Sequence, residues 1–265
     1  MKRFGWLRLN RNGARPEMDS SSAWRFPLRR VSFGEAPELL QASLEPFRAA
    51  GLRLLGLYLL LWIPMVYLGV VGAVGPSLSD VFEALAFTGF TCALDVASRS
   101  ELPDFRHLGV VLRFGPDKLM LLVLTGLLPR LVAIAAMWAL WGMDDTASFL
   151  GEFARPQGHP MPAMKLDYEV AGSLAQLPFT FVWPVWALYR WSASRSMAAN
   201  LLACLVNWRW VLAMTAVVAL IEDWLTWLWT QGNALQALSL VGTLALYLLQ
   251  VSWTLALVQR SFPER

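Results

Sequence analysis

The sequence predicts an all-α fold, a polytopic membrane helix bundle of about six transmembrane helices with short interfacial helices. Residues 54–75 and 235–258 carry no charged side chain. A helix rises about 1.5 Å per residue, so roughly 20 residues span the hydrocarbon core of a bilayer. Hydrophobic residues make up 57% of the 265 residues and charged residues 15%, whereas soluble chains carry about 25% charged residues. Both observations favour a chain that is folded inside a membrane.

Six apolar segments are long enough to be transmembrane spans. They comprise residues 52–75, 78–98, 119–142, 170–189, 210–230 and 234–258. The second span contains Glu83, the third contains Pro129 and Arg130 near its middle, and the fourth contains Pro178 and Pro184. Proline is tolerated in a transmembrane helix when neighbouring helices or water satisfy the carbonyl groups that it frees. We therefore keep all six segments as predicted spans.

The chain divides into three predicted parts. Residues 1–34 are basic and contain prolines and a run of three serines, a composition typical of a flexible cytoplasmic tail. Residues 35–51 place leucines and a phenylalanine at helical spacing, which predicts an amphipathic pre-membrane helix on the membrane surface. Residues 52–260 then form the six-span transmembrane domain.

The distribution of basic residues predicts the orientation of the bundle. Eighteen of the 22 Lys and Arg residues lie in the segments 1–51, 99–118, 190–209 and 259–265. The predicted loops on the opposite side hold two, and the longest of them, 143–169, carries five carboxylates. Loops rich in Lys and Arg stay in the cytoplasm. Both termini are therefore predicted to be cytoplasmic.

The two predicted cytoplasmic loops between spans resemble each other. Residues 99–118 and 190–209 each contain a short apolar segment just before the next span, at 108–112 and at 201–205. One interpretation is a pair of interfacial helices from an internal repeat, in which spans two and three match spans four and five. The alternative is that any short basic loop with a few leucines has this appearance.

One segment carries a family resemblance. Residues 203–208 read Ala-Cys-Leu-Val-Asn-Trp and follow a serine-rich turn at 192–196. This segment resembles one found in uncharacterised bacterial multi-pass membrane proteins, where an Ala-Cys-x-x-Asn-Trp-like helix precedes the penultimate span. Residues 39–48 are similar to the pre-membrane helix of the same family. The resemblance implies a bacterial inner-membrane protein with six helices, and it carries over no catalytic residue.

Arg130 is the polar residue most out of place in the predicted bundle. An unpaired charge at the centre of a span costs at least about 2.5–3.5 kcal/mol. We therefore expect an intramembrane ion pair, with Glu222 or Asp223 in span five and Glu83 in span two as candidate partners. Counting helix rise from the span ends places Glu222 and Arg130 at similar depth. The pair either lines a polar cavity or locks two helices together, and an Arg that snorkels beside the proline is a third interpretation.

Several kinds of chemistry lack the residues that they need. The two histidines, His107 and His159, both fall in predicted loops, which excludes a bis-histidine haem or a His-based metal site within the bundle. No phosphate-binding glycine loop, nucleophile elbow or zinc-protease motif is present in the sequence. We therefore expect no enzymatic activity, no metal and no cofactor. The net charge is +3, and the basic residues lie mostly at the ends of the predicted spans. Contact with anionic lipid headgroups explains this placement better than nucleic-acid binding does.

Two functions stay open on the sequence. The first is a non-enzymatic accessory or assembly partner of a membrane process, which contacts the lipid bilayer and other membrane proteins. The alternative is a small-solute or ion transporter with an Arg and Glu site near the midplane of the membrane. The two differ in whether Arg130 and a carboxylate face a water-accessible cavity or a dry helix contact.

Overall fold

The computed structural model describes residues 26, 28–69, 75–153, 161–189 and 191–262. These residues form helices and no strand, which confirms the predicted all-α fold class. The helices are α1 (Ala36–Gly69), α2 (Gly75–Ser98), α3 (Phe105–Leu108), α4 (Pro116–Trp141), α5 (Met143–Phe153), α6 (Pro162–Gln176), α7 (Val182–Leu188), α8 (Ala193–Val206), α9 (Trp208–Trp229) and α10 (Asn233–Ser261). Short 3-10 turns at Phe33–Glu35, Gly109–Arg113 and Leu177–Phe179 connect some of them.

Five of these helices are long and apolar enough to cross a membrane. They are α1, α2, α4, α9 and α10. Each of them overlaps one of the predicted spans one, two, three, five and six. The chain is therefore an integral membrane protein built as a helix bundle.

The predicted fourth span is not a single helix, so the prediction of one continuous helix over 170–189 is wrong. The chain instead forms α6, a 3-10 turn at Leu177–Phe179 and the short helix α7. Pro178 lies in the turn. Proline lacks an N–H group and disfavours helical geometry at the preceding residue, which accounts for a break at this point. We call residues 162–188 the broken crossing.

Both ends of the described chain lie at one end of the bundle, which we call the proximal end. The Arg29 amide donates a hydrogen bond to the Ser261 carbonyl at 2.8 Å. Arg260 forms salt bridges with Glu35 at 3.1 Å and with Glu38 at 2.8 Å. Helices α1, α4 and α9 therefore lead away from this end, and α2, the broken crossing and α10 return to it.

Residues 28–35 are tied to the proximal end through Asn207. The Val31 amide donates to Asn207 Oδ1 at 2.8 Å, and Asn207 Nδ2 donates to Ser261 Oγ at 3.1 Å. The indole of Trp210 donates to the Val31 carbonyl at 3.1 Å. Val31 itself is 3% exposed. The last part of the predicted tail is thus held by specific contacts, while residues 1–25 of that tail lie outside the described residues.

Helix α1 joins the predicted pre-membrane helix to the first span. Ala50 has non-helical backbone angles, φ −146° and ψ 31°. This kink falls at the boundary predicted between residues 35–51 and the first span. It separates a segment with polar exposed positions from the apolar remainder of α1.

The two loops of the predicted repeat fold back against the crossing that precedes each of them. A Cβ atom on Gly89 in α2 would collide with the carbonyl of Leu108 in α3. In the second loop, α8 packs against the break, where Asn200 Nδ2 donates to the Pro178 carbonyl at 2.6 Å. The two loops differ in length of helix, since α3 has 4 residues and α8 has 14. The internal repeat stays a prediction.

Candidate functional site

A cavity of about 310 Å³ lies inside the bundle. Residues of α2, α4, the broken crossing, α9 and α10 form its wall. The charged side chains in that wall are Asp80, Glu83, Arg130, Glu169 and Glu222. A polar cavity between helices that face lipid is expensive to maintain unless it has a function. This cavity is the candidate site.

Arg130 is paired with Asp80 in the wall of the cavity. Arg130 Nε donates to Asp80 Oδ2 at 2.5 Å, and Arg130 Nη2 donates to Asp80 Oδ1 at 3.1 Å. The remaining Nη1 donates to the Tyr168 hydroxyl at 3.2 Å. The guanidinium thus joins α2, α4 and α6. This two-point geometry is the strongest form of an Arg and carboxylate contact.

The sequence of α4 explains why this pair forms. Gly126 lies one helical turn before Arg130, so the two residues share a face of the helix. A Cβ atom on Gly126 would lie 2.8 Å from the Asp80 carbonyl oxygen and 3.3 Å from Val81 Cα. The missing side chain therefore lets the backbones of α2 and α4 approach closely. That approach brings the Asp80 carboxylate within reach of Arg130.

The predicted partners of Arg130 are wrong. Among the described residues, Arg130 forms its salt bridge with Asp80 and none with Glu83, Glu222 or Asp223. The error came from measuring depth from helix ends. Helix α4 continues for 11 residues after Arg130, whereas α2 starts only 5 residues before Asp80. The sequence did contain a signal, because Asp80 lies three residues before Glu83 and therefore shares its face.

Glu83 and Glu222 line the same cavity without a cation. No salt bridge to either residue is found in the part of the chain that the structure describes. Glu83 reaches the wall from α2 and Glu222 from α9. The Glu222 side chain lies beside the Tyr247 hydroxyl of α10. The structure thus brings Glu83, Arg130 and Glu222 to one cavity, as a polar site requires.

Asp223 does not belong to this site. Its side chain is exposed, and it is absent from the wall of the cavity. Adjacent residues of a helix point about 100° apart, so Glu222 and Asp223 cannot both face the same space. Asp223 is placed on the outside of α9.

One polar atom of a residue in the wall finds no hydrogen-bond partner among the described residues. Gln250 Oε1 on α10 is shielded from the outside and accepts no hydrogen bond from the described residues. A buried acceptor without a donor costs about 1–3 kcal/mol. Gln250 lies in the wall together with Tyr247 and Thr254, which are on the same helix. Gln250 Oε1 is therefore a shielded acceptor whose donor is not among the described residues.

The break in the fourth crossing forms another part of the wall. Phe179, Thr180 and Trp183 all line the cavity. Asn200 of α8 supports the break, since its Oδ1 accepts a hydrogen bond from the Phe181 amide at 3.0 Å while its Nδ2 donates to the Pro178 carbonyl. One side chain thus satisfies two backbone groups that the broken helix leaves without partners.

The site carries no arrangement typical of a metal centre. Among the described residues, no group of three or more His, Cys, Asp or Glu side chains is placed to hold a metal ion. Comparisons of the chain with protein-family models, with curated proteins and with solved structures give no match. The function must therefore be argued from the cavity itself.

Proposed function

We propose that this protein is a carrier for a small polar solute in the bacterial inner membrane, with the cavity as its binding site. The observation that carries the proposal is a cavity of about 310 Å³ lined by Glu83 and Glu222 between membrane-crossing helices. Ionisable groups within transmembrane helices mark solute and ion pathways by default. Ligand sites of this kind also lie between the helices of bundles.

The broken crossing supports transport over a purely structural cavity. Substrate sites of secondary transporters are formed at discontinuous helices, where free backbone groups line a cavity. Here the break at Leu177–Phe179 borders the cavity directly. Because α7 is joined to α6 by this turn, it can move relative to α6 without breaking the hydrogen bonds of a continuous helix. The turn can therefore act as a hinge beside the cavity.

The orientation follows from the charges of the loops. The proximal end holds the basic loops and both ends of the described chain. Loops rich in Lys and Arg remain in the cytoplasm. We infer that the proximal end, with both termini, faces the cytoplasm. The earlier expectation of an accessory or assembly partner stays a prediction, since no specific cluster of described residues favours it over the cavity.

Sided labelling of a cysteine in the cavity tests this proposal. Thr215 lines the cavity, and Val217, on the same helix, is 41% exposed on the outside of the bundle. Each is replaced by cysteine, and membrane-impermeant methanethiosulfonate reagents are applied to spheroplasts and to inverted vesicles. The wild-type chain measures the background from Cys92 and Cys204.

A carrier exposes its site to each side in turn. We expect Thr215→Cys to react in both preparations, with at least one of a cationic and an anionic reagent. Val217→Cys, which faces lipid, is expected to react in neither preparation. Reaction of Thr215→Cys from one side only, or from neither side, contradicts a carrier.

A further inference from the structure

We propose that the solute is a small organic ammonium ion, which binds between Glu83 and Glu222. This inference rests on the proposed function and names the chemical class of ligand that the cavity accepts. It is argued from the charges, the free acceptor and the rings in the wall of the cavity.

The charges in the wall leave two carboxyl groups without a cation. Of the four acidic side chains, Asp80 is held by Arg130. Glu169 forms a salt bridge with Lys165 at 3.5 Å. Glu83 and Glu222 remain, and the described residues offer neither of them a basic partner. The cavity therefore has an excess of negative charge at these two groups.

Glu83 and Glu222 enter the wall of the same cavity from different helices. Glu83 lies on α2 and Glu222 on α9. Two like charges in a medium of low dielectric constant are costly unless an opposite charge lies between them. A bound cation removes this cost. No cation from the described residues of the protein occupies that role.

The rest of the wall fits an organic cation better than a metal ion. Divalent metal ions such as Ca²⁺ take roughly six to eight oxygen ligands, commonly with carboxylates among them, and the described residues contain no group of three or more His, Cys, Asp or Glu side chains placed to hold a metal ion. The wall instead contains the rings of Phe179, Trp183 and Tyr247. Aromatic faces attract ammonium groups through the cation–π interaction and also accept their alkyl parts.

Two features of the wall hold the ligand in a defined orientation. Trp183 packs edge-on against Phe87 at a centroid distance of 5.0 Å, so its ring is fixed by a buried neighbour. Gln250 Oε1 accepts no hydrogen bond from the described residues, and it can accept one from an N–H or O–H group of the ligand. A cavity of about 310 Å³ lies at the small end of ligand pockets, which limits the ligand to a few carbon atoms.

The first test measures the charge preference of the cavity. Purified Thr215→Cys protein is reacted with cationic trimethylammonioethyl methanethiosulfonate and with the anionic sulfonatoethyl reagent. The ratio of the two rates is divided by the same ratio for free 2-mercaptoethanol. We expect a preference for the cation of at least about tenfold, as a cleft lined by one sign of charge concentrates its counter-ion.

Variants assign this preference to the two proposed residues. Adding Glu83→Gln or Glu222→Gln to Thr215→Cys is expected to reduce the preference, and combining both is expected to abolish it. Asp145→Asn is the control, because Asp145 is an exposed carboxylate that does not line the cavity. A preference that survives in the double Gln variant, or a preference for the anionic reagent, overturns the inference.

The second test uses choline as the probe, with 3,3-dimethylbutan-1-ol as its uncharged analogue of the same shape and 3,3-dimethylbutanoate as an anion. We expect millimolar choline to slow the labelling of Thr215→Cys at least about threefold, and the other two compounds to have no effect. If the uncharged analogue slows the labelling of Thr215→Cys as much as choline does, or if choline does not slow it, the proposal that the ligand is an ammonium ion is overturned.

The tests separate the two proposals. If Thr215→Cys is labelled from both sides of the membrane but shows no cation preference, the proposed carrier function is supported and the proposed ammonium ligand is contradicted. If it is labelled from neither side, the carrier function itself is contradicted.

Discussion

The Asp80 carboxylate on α2 accepts two hydrogen bonds from the Arg130 guanidinium on α4, one turn away from the backbone contact at Gly126. The close helix contact and the ion pair therefore support each other. The pair neutralises the cation for which the sequence predicted Glu222, Asp223 or Glu83 as the partner. Because Arg130 is engaged in this way, it forms no salt bridge with Glu83 or Glu222 among the described residues.

Removing one partner of this pair is expected to destabilise the protein strongly. Arg130→Leu leaves Asp80 without its cation. Because 20% and 27% of the two side chains are exposed, the expected loss lies below the value of about 3–5 kcal/mol found for a fully buried pair. The double variant Asp80→Leu with Arg130→Leu is expected to recover a large part of that loss. Unfolding in mild detergent by heat or by SDS measures the coupling between the two sites.

The matched cycle combines Arg130→Leu with Glu222→Gln. Its effects are expected to be additive within about 0.5 kcal/mol, as for residues that share no contact. A coupling of Arg130 with Glu222 that exceeds its coupling with Asp80 would show that the assigned partner is wrong.

Enlarging Gly126 is expected to separate α2 from α4. A side chain there would meet the backbone at Asp80 and Val81, which cannot move aside as a flexible side chain can. Gly126→Val is therefore expected to cost about 1–3 kcal/mol of stability, the usual range for overpacking. Gly56→Val is the control, since a Cβ atom on Gly56 has no neighbour within 4 Å. Equal loss of stability in both variants would contradict the close contact.

Asn207 is expected to hold residues 28–35 on the bundle. Asn207→Leu removes both the acceptor for the Val31 amide and the donor to Ser261. Cleavage by a protease between residues 28 and 35 is expected to become faster, because the backbone hydrogen bonds of this segment lose their anchor. Asn207→Asp keeps the acceptor and is expected to show an intermediate rate. Cleavage at the wild-type rate in Asn207→Leu would exclude this anchoring role.

Asn200 is expected to stabilise the break in the fourth crossing. Asn200→Leu leaves the Phe181 amide without its acceptor, and the Pro178 carbonyl keeps only the weak hydrogen bond from the Cys204 thiol. Each buried group without a hydrogen bond costs about 1–3 kcal/mol. The fluorescence of a probe on a cysteine at Thr180 is expected to report a more mobile break. An unchanged signal together with unchanged thermal stability would show that Asn200 is dispensable.

The Cys204 thiol is expected to be unreactive in the folded protein. Burial raises the pKa of this thiol from its ordinary value of 9.0 to about 12, so the thiolate that reacts with alkylating reagents is scarce below that pH. In a Cys92→Ala variant, labelling by N-ethylmaleimide at pH 7–9 is expected to be slow until SDS unfolds the chain. Labelling as fast in the native protein as in SDS would contradict the burial of Cys204.

The long apolar helices were largely predictable from the sequence. The uncharged stretches depend on the bilayer and not on the details of packing, whereas the orientation inferred from the clustering of Lys and Arg stays a prediction. Five of the six spans were found in this way. In the fourth predicted span, Pro178 lies at the point where the helix is interrupted. A proline in the sequence does not by itself tell whether a helix is only kinked or is divided into two.

The partner of Arg130 could not be obtained from the sequence in the same way. It depends on how far α4 extends beyond its contact with α2, which is a property of the packed bundle. The hold of Asn207 on Val31 joins residues that are 176 positions apart, and no local pattern indicates such a contact. The cavity is likewise defined by five separate segments, of which the sequence indicated the charged residues but not their common space.

Choline counterflow in proteoliposomes tests the central claim most directly. Vesicles loaded with unlabelled choline are diluted into a trace of labelled choline, and the label inside is measured over time. The account predicts transient accumulation of label with the wild-type protein and its loss in the variant that combines Glu83→Gln and Glu222→Gln, whereas Asp145→Asn, outside the cavity, is expected to accumulate label like the wild type. Uptake by the wild-type protein equal to that of protein-free vesicles would contradict a carrier for organic ammonium ions.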